Sequence, residues 1–171
     1  MTHIRLLNRV SASVAIAAVF GLGTLPSAAT SEHGSTGQTA SEKKKQLDRS
    51  GHKRVGKASF YHRKFTGRKM ANGKPMNPHD DNAASKTLPL GTIARVTNPK
   101  NGKSAVVTID DRGPYVADRI VDLSPKTAQE LGIKHEGVAM VEVTPISVPL
   151  PDGRVLLGDA GRDAGEQLTA R

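Results

Sequence analysis

The chain has 171 residues, room for one domain with tails, and 36% hydrophobic residues with 3% aromatics and no Trp. Its 17 Gly and 10 Pro describe a small, loop-rich β core and exclude a helical bundle. The absence of Cys excludes disulfides, thiolate metal sites and a lipid-bearing cysteine, and a net charge of +9 favours anionic surfaces as partners.

In chain order, the first feature is a basic start, Arg5 and Arg9, followed by an apolar run from Val10 to Leu25 and then Pro26-Ser-Ala-Ala29. Basic start, apolar stretch and small residues make residues 1–29 a cleavable secretory signal peptide. The expected location is periplasmic or secreted, with no stable membrane insertion after cleavage. Setting aside the leader's two arginines takes the +9 to +7, because the leader holds no acid. Outside the inner membrane, cell-wall polymers and lipid headgroups are the anionic partners to expect. Nucleic acid is not, since Lys and Arg are not interleaved with aromatics. Residues 30–54 are polar, with Leu47 the one large apolar side chain, and are expected to form a disordered linker.

From Val55 the texture changes. Val55–Tyr61 alternates as a strand does, and Asp81–Lys86 reads as a short helical turn. Thr92–Asn98 and Ser104–Asp110 are two more strands, joined at Pro99-Lys-Asn-Gly102, where Asn-Gly is a hairpin signal. Arg119–Leu123 is a short strand. Ser124–Gly132 is a helix with Ser124 as cap, Pro125 at the first helical position and Gly132 as terminator. Val138–Thr144 is a further strand, stopped by Pro145. Residues 147–171 lack the length and pattern of a second domain and are expected to be a flexible tail, which leaves 55–146 as the folded domain. Many short strands and little helix indicate an all-β fold, a small barrel or sandwich.

Two segments carry a more specific signal. The first runs Gly56-Lys-Ala-Ser-Phe-Tyr61, Gly67-Arg-Lys-Met-Ala-Asn-Gly73, Ala83-Ala84 and Leu88-Pro-Leu-Gly-Thr92. The second runs Asp110-Asp-Arg-Gly-Pro-Tyr115, Asp118-Arg-Ile-Val-Asp-Leu-Ser124, then Ala128 and Leu131-Gly132. In this order, over residues 55–146, they resemble the rare lipoprotein A (RlpA) family, which is similar in fold to expansins and barwin. The resemblance implies a six-stranded double-psi β-barrel with one or two short helices. It also implies an endolytic lytic transglycosylase acting on peptidoglycan strands stripped of stem peptides. Such an enzyme cuts between N-acetylmuramic acid and N-acetylglucosamine and leaves a 1,6-anhydro end. The muramyl 6-hydroxyl replaces water as nucleophile, so one acid serves where glycoside hydrolysis uses two carboxyls. The family's C-terminal glycan-binding SPOR domain is expected to be missing, because the tail is too short for it.

The family's ionisable positions are altered. Where its pattern has Glu, Asp and His, this chain has Lys74, Asn77 and Ser85. Lysine is a poor acid for this step, Asn77 does not titrate, and Ser85 does not relay a proton near neutral pH as His does. Asp122 and Asp111 are the candidate replacement acids by the logic of related barrels; His79, Asp80 and Asp81 are nearer in sequence but read as a solvated turn. Tyr61 and Tyr115 are candidate sugar-stacking residues, Asn72 a candidate hydroxyl ligand, and Arg112 a candidate ligand for a lactyl carboxylate. His62, His79 and His135 lack ligand spacing, so neither a metal nor another cofactor is expected. A monomer is expected, with peptidoglycan glycan strands as partner. The alternative to the enzyme is a barrel of the same fold that binds glycan without cutting it.

Overall fold

The strands in chain order are β1 (Arg54–Phe60), β2 (Asn82–Ala84), β3 (Ile93–Thr97), β4 (Ser104–Asp111), β5 (Arg119–Leu123), β6 (Ala139–Pro149) and β7 (Val155–Leu157). These come from a computed structural model that describes residues 46–169. Hydrogen bonding runs β1–β5–β2–β4–β3–β6, and β6 returns to β1, closing a six-stranded barrel, with β7 added beyond β6. The β1–β5 and β2–β4 pairs are parallel, and the remaining pairs are antiparallel. This is the double-psi β-barrel expected from the motifs.

Alternation builds the core. In β4, Val107 and Ile109 turn inward and are fully buried, whereas Val106 faces solvent. Val121 and Leu123 of β5 and Val141 and Val143 of β6 meet them in one apolar cluster. Each such side chain contributes about 1.5–3 kcal/mol on burial. Helix α1 (Pro125–Glu130) closes one end of that cluster through Ala128 and the following Leu131 and Ile133. Its cap is the one the sequence indicates: Ser124 Oγ accepts from Thr127 N at 3.1 Å.

Three expectations are corrected. Residues 82–84 form a strand, not a helical turn. Ala83 and Ala84 are buried between β4 and β5, and ladder bonds on both sides outweigh the helical preference of Ala. The tail is not flexible over its described length. Strand β6 passes Pro145 because that residue stands at a register shift against β3, where a ladder N–H is not needed. Ser147–Pro149 then pair with β7, and helix α2 (Asp159–Thr169) packs on β6. Finally, residues 46–53, assigned to the linker, are docked. Asp48 N donates to Thr87 O at 2.8 Å, Asp159 N donates to Gly51 O at 2.9 Å, and Arg54 pairs with Asp48. The signal peptide and linker residues 30–45 lie outside the described residues.

The C-terminal attachment depends on a close backbone approach. A Cβ on Gly158 would sit 2.3 Å from Pro145 O and 2.7 Å from Pro145 C. Backbone atoms on an inner strand do not yield cheaply, so Gly158→Ala is expected to displace β7 and α2 from β6, costing about 1–3 kcal/mol. Faster proteolytic removal of the segment after Pro149 would report it.

Asp159 ties the two ends of the described chain together. It accepts from Lys53 N at 2.8 Å, pairs with Arg162 and lies 3.4 Å from His52 Nδ1. The Lys53 N–H, then Arg162 and His52, hold its carboxyl below the usual carboxylate range. A depressed carboxylate stabilises above its unfolded pKa of about 3.9 and loses that contribution as pH falls through the folded value. The Tm gap between wild type and Asp159→Asn is therefore expected to be constant above about pH 5 and to shrink as the pH is lowered below about 4.

Candidate functional site

Strand register brings two carboxylates to one groove. Ala84 of β2 is in register with Asp111 of β4 on one side and Asp122 of β5 on the other. With strands about 4.8 Å apart, the two aspartate backbones stand roughly 10 Å from each other across Ala84. All three residues line a groove with a volume of about 950 Å³. Ala84, with a single methyl, and Gly113, with no side chain, both line it.

Each carboxylate is held by named groups. Ser59 of β1 pairs with Asp122 in the parallel β1–β5 register, and its hydroxyl donates to Oδ1 at 2.8 Å. Arg119 Nη1 donates to the same hydroxyl oxygen at 2.6 Å, while its Nη2 lies 3.6 Å from Asp122 Oδ2. Asp111 Oδ1 accepts from the backbone N–H groups of Ala71 and Arg112, both at 2.8 Å. Its Oδ2 accepts from the Tyr61 hydroxyl at 3.0 Å. Burial, followed by Asp111 and then by the charges of Asp122 and Asp110, pushes the Tyr61 phenol far above its ordinary range.

The groove walls come from two loops. After β4, Arg112 lines the groove but also anchors it: Nη1 donates to the carbonyls of Ser85 at 3.1 Å and Leu88 at 2.7 Å. Tyr115 is 83% exposed at the rim, so its ring is open to a ligand. The opposite wall is a 3₁₀ turn, Arg63–Phe65, capped by His62, whose Nδ1 accepts from Lys64 N at 3.2 Å. It presents Phe65, whose ring meets Tyr61 edge-on at 5.9 Å. Lys64 and Arg68 flank that ring. Sequence reading missed Phe65; the available signal was an aromatic bracketed by cations in Arg63-Lys-Phe-Thr-Gly-Arg-Lys69.

Asn72 departs from its candidate role as a sugar ligand. Its Nδ2 donates to Asp110 at 2.8 Å and its Oδ1 accepts from Lys74 N at 2.9 Å, so both ends of the amide close the loop, and the residue does not line the groove.

Residues 53–143 match the double-psi β-barrel family described as Lytic transglycolase. The chain belongs to this family. It is 50% identical over 94 residues to "Endolytic peptidoglycan transglycosylase RlpA" of Pasteurella multocida, covering 55% of this chain and 32% of that protein. It is 40% identical over 109 residues to the protein of the same name in Neisseria meningitidis serogroup B, covering 61% of this chain and 46% of that one. The chain thus spans less than half the length of these curated relatives. Among solved structures it is similar to the Streptomyces papain inhibitor, at 25% identity and a TM-score of 0.44, covering 55% of this chain and 94% of that one.

In this double-psi barrel, Lys74, Asn77 and Ser85 lie off the groove lining. Lys74 is exposed and borders a separate polar depression with Asp80, Asp81 and Asp110. Asn77 Oδ1 accepts from His79 N at 3.1 Å, and its carbonyl accepts from Asn82 at 2.7 Å. Ser85 is buried, and its hydroxyl accepts from Leu88 N at 3.2 Å, a turn-stabilising role. Asp81 is engaged with Lys126 at 3.0 Å. The carboxylates that line the groove are Asp111 and Asp122.

Proposed function

We propose that this barrel acts on peptidoglycan glycan strands as a lytic transglycosylase, with Asp122 as its single acid. The observation that carries this reading is Asp122 in the groove, supported on two sides by Ser59 and Arg119 and across Ala84 from the Tyr61-bonded Asp111. The family match and the names of its curated relatives supply the substrate class.

In the reaction proposed, Asp122 acts in its protonated form, without its ion pair to Arg119, and gives its proton to the glycosidic oxygen as the bond from that oxygen to the muramyl anomeric carbon breaks. The muramyl 6-hydroxyl oxygen bonds to that carbon, and its proton passes to the Asp122 carboxylate, which restores the acid. No water is consumed and a 1,6-anhydro end is left. An anionic Asp111, fixed by two backbone N–H groups and Tyr61, would oppose the positive charge that develops on the sugar ring. Residues 1–29 would direct the protein to the periplasm or the medium.

The replacement of Glu by Lys74 favours a second reading, in which the groove holds glycan without cutting it. Incubation of stripped glycan strands with the protein, followed by mass spectrometry, separates the two. New 1,6-anhydromuramyl ends support the enzyme. Binding to sacculi without such ends at high protein concentration selects the second reading and removes the first.

A further inference from the structure

A second, acidic depression lies where loop 70–81 meets the outer face of β2 and β4. Ala83 of β2 and Val107 and Ile109 of β4 turn into the core, so by alternation Asn82, Thr108 and Asp110 turn outward. Asn82 and Thr108 are in register. Two backbone bonds fix the loop to β4: Asn72 N donates to Asp110 O at 3.0 Å, and Thr108 N donates to Asp81 O at 2.8 Å. The depression has a volume of about 200 Å³, and Lys74, Asp80, Asp81, Asn82, Thr108 and Asp110 line it. Met70 lines both it and the groove, so the two adjoin.

Acceptors there outnumber donors. Asn82 is 3% exposed, and its Nδ2 donates to Asn77 O at 2.7 Å, but its Oδ1 has no hydrogen-bond partner among the described residues. Asp110 Oδ1 accepts from Asn72, which leaves Oδ2. Asp81 is neutralised by Lys126 at 3.0 Å, whereas no ion pair among the described residues involves Asp80, Asp110 or Lys74, the one cation of the lining. A buried acceptor without a partner calls for a donor, and the carboxylates beside it call for a positive one. Among the described residues, no three His, Asp or Glu side chains are grouped to hold a metal ion. A primary ammonium answers both demands, with three N–H donors on one charged atom.

We infer that this depression is a subsite for a primary ammonium group on the wall ligand, with Asp80, Asp110 and Asn82 Oδ1 as its acceptors. The inference rests on the proposal that the protein holds peptidoglycan, and it specifies a substituent that is read beside the groove. Two sources carry this chemistry: the C2 amine of a deacetylated hexosamine in the strand, and the side-chain amine of a diamino acid in a stem peptide. Acetylation of either amine removes the charge and two of the three donors.

The test measures affinity for two pairs of ligands. One pair is stripped strands, fully acetylated or partly N-deacetylated; the other is peptide-bearing strands with the diamino-acid amine free or acetylated. Wild type is expected to bind the free-amine member of one pair about tenfold more tightly than its acetylated partner, the combined effect of two partly exposed charge contacts. The pair that shows the preference identifies the source. Raised salt lowers the preference. In Asp80→Asn/Asp110→Asn the ratio falls towards one while affinity for the acetylated members is kept, which also shows that the variant is folded. Lys74→Gln, which removes the like charge from the lining, enlarges the ratio. Equal wild-type affinity within both pairs overturns the subsite while the glycan-binding reading stands. A tenfold preference that survives the double substitution overturns its assignment to these residues. Binding of none of the four ligands overturns both readings.

Discussion

Asp122→Asn is expected to lower the rate of 1,6-anhydromuramyl end formation by about 10²–10⁴-fold, the usual contribution of a positioned general acid. The amide matches the carboxylate in volume and can still accept from Ser59 through its oxygen, so the substitution removes the transferable proton with little change in packing. Its NH₂ would, however, face Arg119 and lose the attraction across 3.6 Å, so the Tm of the variant must be measured beside its rate. Asp111→Asn provides the contrast. One oxygen can still accept from Ala71 N and Arg112 N, and the Tyr61 hydroxyl can turn to accept from the new NH₂. Its expected rate loss is about tenfold, from lost electrostatic stabilisation rather than a lost proton. Retention of the wild-type rate by both variants would remove the single-acid proposal. A larger loss in Asp111→Asn would exchange the roles of the two groups.

What could be read in advance follows from the range of the forces involved. Strand β5 and helix α1 are local matters: Ile-Val-Asp-Leu is β-forming, and Ser124-Pro125 followed by Gly132 supplies a cap, a first turn and a stop. Strand β2 is the opposite case. Asn-Ala-Ala has no β preference of its own, and its conformation comes from β4 and β5, which are distant in sequence. The C-terminal segment escaped because Pro145 reads as a stop, and only the register shift against β3 shows why it is not one. The site divides in the same way. Asp111 and Asp122 sit in distinctive motifs, but the contacts that distinguish them, Tyr61 to one and Ser59 with Arg119 to the other, depend on pairing between β1 and β5 and on the loop after β1. Asn72 and Phe65 share one difficulty: whether a loop side chain turns to its own backbone or to the groove is decided by loop closure, and no periodicity records it.

The same dependence of site on barrel makes Leu123→Ala the most destabilising substitution expected. Leu123 has no exposed surface, and its strand lies between β1 and β2. It is in register with Phe60 on one side and Ala83 on the other, and its carbonyl accepts from Tyr61 N at 2.9 Å. Truncation to Ala leaves a cavity bounded by strands that close on themselves and have little freedom to collapse. The expected cost is about 2–5 kcal/mol, against a total of about 5–15 kcal/mol for a domain. At roughly 4 °C per kcal/mol for a domain of this size, Tm should fall by about 10 °C or more. Leu123→Met keeps most of the volume and should cost less than about 1.5 kcal/mol. Because Asp122 precedes Leu123 on the same strand, loosening β5 also loosens the carboxylate from Ser59 and Arg119. Leu123→Ala should therefore lose rate at temperatures well below its own Tm, while Leu123→Met should not. A Tm for Leu123→Ala within about 2 °C of wild type would mean that β5 does not carry the core, and the register that sets Asp122 opposite Ala84 would fall with it.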